Sequence, residues 1–179
     1  MLECYGRLRR DHPDTVLLMA PRHVERAEIV EAKIRGAGYV PIRRSAMKHA
    51  KVEEQKDKDA RVIILDTRGE LANVYALGHV TFVGGTLVPV GGHNLLEPAR
   101  WGKPVFFGPY TDHCAETAHL LVQAGGGIQA KNAEDLSVQL LQAFNDPSLV
   151  HRMGSAARGV VQANQGVMRK NLDIIVSRL

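Results

Sequence analysis

Short apolar segments recur along the chain, separated by longer stretches in which apolar residues return every three or four positions. The short segments are rich in valine, isoleucine, leucine and phenylalanine, as is typical of strands buried on both faces of a parallel sheet. They predict six strands, at residues 15–20, 39–42, 62–66, 79–83, 104–107 and 127–130. The second strand is expected near a sheet edge because Pro41 lies within it.

The stretches between the strands show helical spacing. Val24, Ala27, Val30 and Ile34 lie on one side of a helix that follows the first strand. Further helices are predicted at residues 70–77, 95–101, 114–124 and 132–144, and two more after residue 147. The alternation predicts the α/β class, with a doubly wound, Rossmann-like parallel sheet of about six strands in a single domain covering residues 1–179.

The composition and charge of the chain indicate which kind of ligand it binds. The chain has 179 residues, 45% of them hydrophobic, and a formal net charge of +4, which suits an anionic ligand. Its basic residues form no stripe interleaved with aromatic residues, so a nucleic-acid partner is not expected. No apolar run reaches the length of a membrane span, and no signal peptide opens the sequence. Cys4 and Cys114 show no metal-ligand spacing. We therefore expect reduced thiols, no metal site and a soluble, cytoplasmic chain.

The stretch from residue 83 to residue 98 carries the strongest local signal. The fourth strand runs into Gly84-Gly85, a second pair, Gly91-Gly92, follows, and a helix is predicted after Asn94. Glycine pairs allow sharp turns and close approach of a ligand, and a helix N-terminus offers backbone N–H groups to an anion. A competing interpretation needs no ligand: Asn94 and Glu97 have the spacing of a helix-capping box.

Three junctions between a strand and a helix carry polar residues: residues 21–23, 68–70 and 94–97. In a doubly wound sheet all such junctions lie at the carboxyl edge, where ligands bind. Two of them supply an arginine, which suits a nucleotide phosphate. Glu70 and Glu97 would instead accept hydrogen bonds from ribose hydroxyls or a base amino group. The glycine patterns of NAD and ATP sites are missing, so no cofactor is expected.

Four segments together resemble one family. They read APRH at residues 20–23, RRS at 43–45, LDTRGEL at 65–71 and GGHNLLEPA at 91–99. In order and spacing they are similar to the 3-deoxy-D-manno-octulosonic acid (Kdo) transferases of lipopolysaccharide synthesis. These are GT-B glycosyltransferases that use CMP-Kdo as donor. The resemblance covers nearly all of the chain.

The resemblance implies the C-terminal, donor-binding half of such an enzyme. The general base and the membrane-anchoring segment are then expected in an N-terminal acceptor half that this sequence lacks, so no catalytic residue is expected here. The residues implied to bind CMP are Pro21, Arg22, Arg68, Gly69, Glu70, Asn94, Leu95, Leu96 and Glu97, with Ser45, Gly91, Gly92 and His93 as further candidates. The chain departs from the family pattern at Arg68, often a small or apolar residue, and at Asp112-His113.

The predicted function is therefore to bind CMP-Kdo for transfer of Kdo to a lipid A precursor. The parent enzyme would act at the cytoplasmic face of the bacterial inner membrane. Two alternatives stay open at this point. The chain could be the donor half of another GT-B enzyme that uses a UDP-sugar, either a glycosyltransferase or an epimerase. It could also be a stand-alone, non-catalytic nucleotide-binding module.

Overall fold

The computed structural model describes residues 1–48 and 61–176, with side chains described for residues 1–47 and 61–164. The chain divides into two compact units, Met1–Leu71 and Ala72–Leu179. Most of the mixed-charge segment that follows the second strand lies outside the described residues.

The first unit is built on three short parallel strands. Its elements are α1 (Leu2–Asp11), β1 (Leu17–Met19), a 3-10 turn (Val24–Arg26), α2 (Ala27–Gly36), β2 (Val40–Arg43), a second 3-10 turn (Ser45–Lys48) and β3 (Arg61–Ile64). The strand β3 lies in the middle and pairs with β1 and β2, so Pro41 sits on an edge strand as predicted. The core packs Ile34 of α2 and Tyr5 of α1 against Val62 and Ile64 of β3.

The second unit repeats this plan. Its elements are α3 (Leu71–Val74), a 3-10 turn (Tyr75–Leu77), β4 (Thr81–Phe82), α4 (Leu96–Arg100), β5 (Val105–Phe107), α5 (Ala115–Gln123), β6 (Gly127–Gln129), α6 (Ala133–Asn145) and α7 (Pro147–Val176). The strand β5 is central and pairs in parallel with β4 and β6. Its fully buried Phe107 packs with Leu95 and Leu121 in the core.

The predicted class and the parallel pairing are confirmed, since each of the six strands overlaps a predicted segment and extends at most one residue beyond it. The strands are distributed over two sheets of three within the described residues. The prediction of two helices after residue 147 is wrong, because α7 is one helix of 30 residues. Gly154 does not interrupt it, and a Cβ at this position would lie 2.1 Å from the Gly102 carbonyl oxygen. In the described part of the chain, every helix is too short or too polar to cross a membrane.

Candidate functional site

The carboxyl edge of the first sheet brings together residues that follow β2 and β3. Ser45 lies just past β2, and its backbone N–H and its hydroxyl donate to the two carboxylate oxygens of Asp66, at 2.9 and 2.6 Å. Burial raises the pKa of Asp66, but these two hydrogen bonds, together with the Asp66 backbone N–H and the charge of Arg43, hold that pKa below its usual value. Ser45 is thus oriented by a carboxylate that is ionised at neutral pH.

Glu70 lies at the same edge, and its partners include Arg44 and Thr67. Arg44 Nη2 donates to Glu70 Oε1 at 2.9 Å, and the Thr67 hydroxyl donates to Glu70 Oε2. Thr67 and Glu70 have capping-box spacing, but the bond joins their side chains. The Glu70 carboxylate is thus held by a cation and a hydroxyl at this edge.

Arg68 is paired within the same unit. Its guanidinium donates to Glu25 Oε1 at 2.7 Å, and both side chains are largely exposed. The backbone N–H of Glu25 and the Arg68 guanidinium lower the pKa of Glu25. Arg68 departs from the family pattern, and in this chain its side chain pairs with Glu25. Gly69 follows with a φ of +82°, a value that suits glycine, and it is exposed.

Pro21 and Arg22 follow β1 and precede the first 3-10 turn. Pro21 is half-buried, whereas Arg22 is exposed at the carboxyl edge. Helical turns do begin at all three predicted junctions, at Val24, Leu71 and Leu96. The first runs directly into the ten-residue α2, whereas α3 has four residues and α4 has five. A dipole from four or five aligned peptides is weak, so at the second and third junctions anion binding depends on side-chain charge and local N–H groups.

The glycine loop of the second unit (residues 84–92) is held by its backbone and by one buried hydroxyl. Thr86 Oγ1 donates to the Val83 carbonyl at 2.7 Å and accepts from the Gly108 N–H at 2.8 Å. The Thr86 carbonyl accepts from the Tyr110 N–H at 3.0 Å. Thr86 is fully buried, so it positions the loop without facing a ligand.

The second glycine pair packs against the protein itself. Gly91 and Gly92 are buried and have φ values of +91° and +80°. A Cβ on Gly91 would lie 2.7 Å from the His113 ring, and one on Gly92 would lie 2.9 Å from Thr86 Cγ2. The backbone N–H of His113 also donates to the Gly91 carbonyl at 2.9 Å. The close approach that these glycines permit is therefore an approach of side chains from the same unit.

The residues at the start of α4, 93–97, differ in exposure and in the contacts that they make. Asn94 is exposed, and its Oδ1 accepts from the Leu96 N–H at 3.0 Å, which caps the helix. Leu95 is fully buried, so only its backbone is open to a ligand. Leu96 and His93 are half-buried. Burial, with the nearby charge of Glu97 in addition, raises the pKa of Tyr75 to about 12.

Glu97 has a looser environment than Glu70. Its Oε1 accepts from Asn94 Nδ2 at 3.5 Å, a side-chain contact at the limit of a hydrogen bond, whereas a capping box would use the Asn94 backbone N–H. The capping interpretation therefore accounts for Asn94 and leaves the carboxylate of Glu97 weakly held. This geometry leaves the Glu97 carboxylate able to accept hydrogen bonds from hydroxyl or amino groups of a ligand.

Other chemistry is limited in the part of the chain that the structure describes. No group of three or more histidine, cysteine or acidic side chains there is arranged to hold a metal ion. Burial, with Asp112 in addition, raises the pKa of the Cys114 thiol, so it stays protonated at neutral pH.

Sequence reasoning missed Thr86, Glu25 and Tyr75. Of these, only Thr86 had a signal, as a small polar residue inside a glycine-rich loop.

The fold corresponds to the C-terminal half of a GT-B glycosyltransferase. A solved structure of the C-terminal CMP-Kdo binding domain of WaaA from Acinetobacter baumannii matches with a TM-score of 0.79 and 28% identity, over 90% of this chain and 81% of that one. Within that class, the resemblance to the Kdo transferases is confirmed.

Curated relatives from several bacteria carry that name. The 3-deoxy-D-manno-octulosonic acid transferase of Aquifex aeolicus is 34% identical over 81% of this chain and 38% of its own length. That of Haemophilus influenzae is 31% identical over 98% of this chain and 40% of its own length. The chain thus spans about two fifths of the curated relatives that it matches. No protein-family model matches it.

Proposed function

We propose that this chain is the CMP-Kdo-binding half of a glycosyltransferase that transfers Kdo from CMP-Kdo to a lipid A precursor. The observation that carries the proposal is the likeness to a solved CMP-Kdo binding domain over 90% of the chain. It is supported by the oriented polar side chains that follow β2 and β3 in the first unit. The acceptor, the donor and a location at the cytoplasmic face of the inner membrane belong to the proposed parent enzyme.

In the first unit, a cationic side chain would bind the phosphate of CMP, and a carboxylate would accept hydrogen bonds from the ribose hydroxyls. Arg22 is exposed and suits a charge-assisted hydrogen bond to the CMP phosphate, with Pro21 beside it. Gly69 and Arg68 offer backbone N–H groups, since the Arg68 side chain already pairs with Glu25. Glu70, which Arg44 and Thr67 orient, accepts from a ribose hydroxyl.

In the second unit, the proposed contacts come from the segment that opens α4. The backbones of Leu95 and Leu96 and the side chains of Asn94 and Glu97 are the groups that a nucleotide would meet. Gly91, Gly92 and His93 support that segment, because the Gly92 N–H donates to the Gly85 carbonyl at 3.0 Å and closes the loop. The general base of the transfer is proposed to belong to a part of the enzyme outside this sequence.

Nucleotide binding by the purified chain is the first test. Calorimetry should detect CMP binding that exceeds UMP and UDP binding, and Arg22→Ala should weaken CMP binding by about 1.5–3 kcal/mol, the range for a charged hydrogen bond. Arg26→Ala is the matched control, because Arg26 is also exposed and lies just beyond the site residues. Equal affinity for CMP and UDP would favour the UDP-sugar alternative instead.

Transfer is the second test of the same proposal. The chain is incubated with fresh CMP-Kdo and a lipid A precursor, first alone and then with the N-terminal half of a related enzyme. We expect no product from the chain alone, because a general base must lie within hydrogen-bond reach of the acceptor hydroxyl. Kdo-modified lipid formed by the chain alone would contradict the proposal and would require a catalytic group among the residues described above.

A further inference from the structure

The second unit has a half-open cavity at the amino edge of its sheet, opposite to the glycine loop. Gly78 and His79 precede β4, Gly102 and Lys103 precede β5, and all four line the cavity. One face of α7 closes the other side. The volume is about 550 Å³, which is within the range of small-molecule sites. None of the residues assigned to CMP lines it.

Glycines and a fixed indole shape this cavity. A Cβ on Gly154 of α7 would lie 2.1 Å from the Gly102 carbonyl oxygen, so two backbones meet at its floor. Gly102 has a φ of +65°, a conformation that disfavours a side chain there. The Trp101 indole N–H donates to the Ala72 carbonyl, which fixes the ring as part of the wall. The cavity is therefore built into the unit by residues that cannot easily be replaced.

The lining is cationic. Lys103 and Arg158 carry its charge, His79 and His151 line it beside them, and none of the lining residues carries a carboxylate. Among the ion pairs of the described side chains, none involves Lys103 or Arg158. Arg158 Cδ lies 3.9 Å from where a Cβ on Gly102 would stand, so its stem crosses the cavity floor. Two cations such as Lys103 and Arg158, in a concave surface whose lining holds no carboxylate, raise the local concentration of anions.

Apolar surface lies beside this charge. Leu77 is 83% exposed and Trp101 is 42% exposed, and both line the cavity. We propose that the cavity is a second ligand site, which binds the phosphate group of a small phosphate monoester between Lys103 and Arg158. The organic part of the ligand then rests against Trp101 and Leu77. Lipid headgroups and water-soluble metabolites both offer this chemistry, and the experiment below separates them.

Trp101 makes the test direct, because it is the only tryptophan of the chain. The full chain is titrated with inorganic phosphate, then with glycerol 3-phosphate, while tryptophan fluorescence is recorded. A parallel arm measures co-sedimentation with phosphatidylcholine vesicles that contain phosphatidic acid. We expect a saturable fluorescence change with a soluble probe, or vesicle binding in its place if the source is lipid. Saturating CMP should leave the result unchanged, so failure of the proposed function would not affect this test.

Methionine substitutions remove the charge of Lys103 or Arg158 and retain an unbranched side chain, so they test the role of each charge in binding. Lys103→Met or Arg158→Met should each weaken binding about ten-fold, as expected for one charged hydrogen bond. Arg152→Met is the matched control, because Arg152 lies on the same helix outside the lining, and it should change affinity less than about two-fold. Circular dichroism verifies that each variant is folded. Three outcomes would overturn the proposal: no binding in either arm, an equal loss in the Arg152 variant, or competition by CMP.

Discussion

The two units hold their candidate residues by different means. In the first unit the carboxyl edge is a set of side-chain pairs, in which Ser45 binds Asp66, Arg44 binds Glu70 and Arg68 binds Glu25. These pairs are half-buried or exposed, and exposed ion pairs add little to stability. In the second unit the glycine loop is held by backbone groups, close glycine contacts and the buried hydroxyl of Thr86.

This difference separates binding from stability. Substitutions among the side-chain pairs of the first unit should change ligand affinity more than they change the free energy of unfolding. Substitutions in the glycine loop should do the reverse, because they force backbone to move or leave buried polar groups without partners.

Gly108→Ala should produce the largest loss of stability. A Cβ at this position would lie 2.2 Å from the Thr86 carbonyl oxygen, which is backbone and cannot swing aside. We expect a cost of about 3 kcal/mol or more in unfolding free energy, as for severe overpacking. Chemical denaturation measures it. The control is Gly36→Ala at the end of α2, where no atom lies within 4 Å, and it should be neutral or stabilising. Equal stability of both variants would contradict the contrast.

Thr86→Val should cost about 2 kcal/mol, because it preserves shape while leaving the buried Gly108 N–H without its acceptor. Thr86→Ser retains the hydroxyl and should recover most of that loss in the same denaturation experiment. If valine were tolerated as well as serine, the hydroxyl would not hold the loop, and packing alone would explain it.

Sequence patterns predicted the strands because burial on both faces leaves a local signature, as in residues 62–65 and 104–107. They also predicted that Arg22 and Glu70 would follow strands at a carboxyl edge. They could not predict that Gly91 makes room for His113, since that contact joins residues 22 positions apart. The same holds for Glu25 and Arg68, which are 43 residues apart, and for the division of six strands into two sheets.

Glu70→Gln and Glu97→Gln form a matched pair across the two units. Glu70→Gln removes the ion pair with Arg44 and should lower the unfolding free energy by less than about 1 kcal/mol. Glu97→Gln should leave stability nearly unchanged, because the hydrogen bonding of its carboxylate within the described residues is limited to the long contact with Asn94. If both carboxylates hold ribose hydroxyls, CMP affinity falls in both variants. Equal affinity for CMP and its 2′,3′-dideoxy analogue would argue against that role.

The smallest expected effect is a pH dependence at Asp66. Hydrogen bonds from Ser45 hold its pKa below the unfolded value of about 3.9, so the ionised carboxylate stabilises the first unit above that pH. That contribution is lost as the pH falls through the lower folded pKa. Ser45→Ala removes one of the two bonds and should cost about 0.5 kcal/mol at pH 7. The difference between wild type and Ser45→Ala should then shrink toward zero below about pH 4, while Ser45→Thr should follow the wild type. Denaturation curves measured across this range verify it, and a difference that stayed constant down to pH 2 would mean that the hydroxyl acts by packing and not by stabilising the charge.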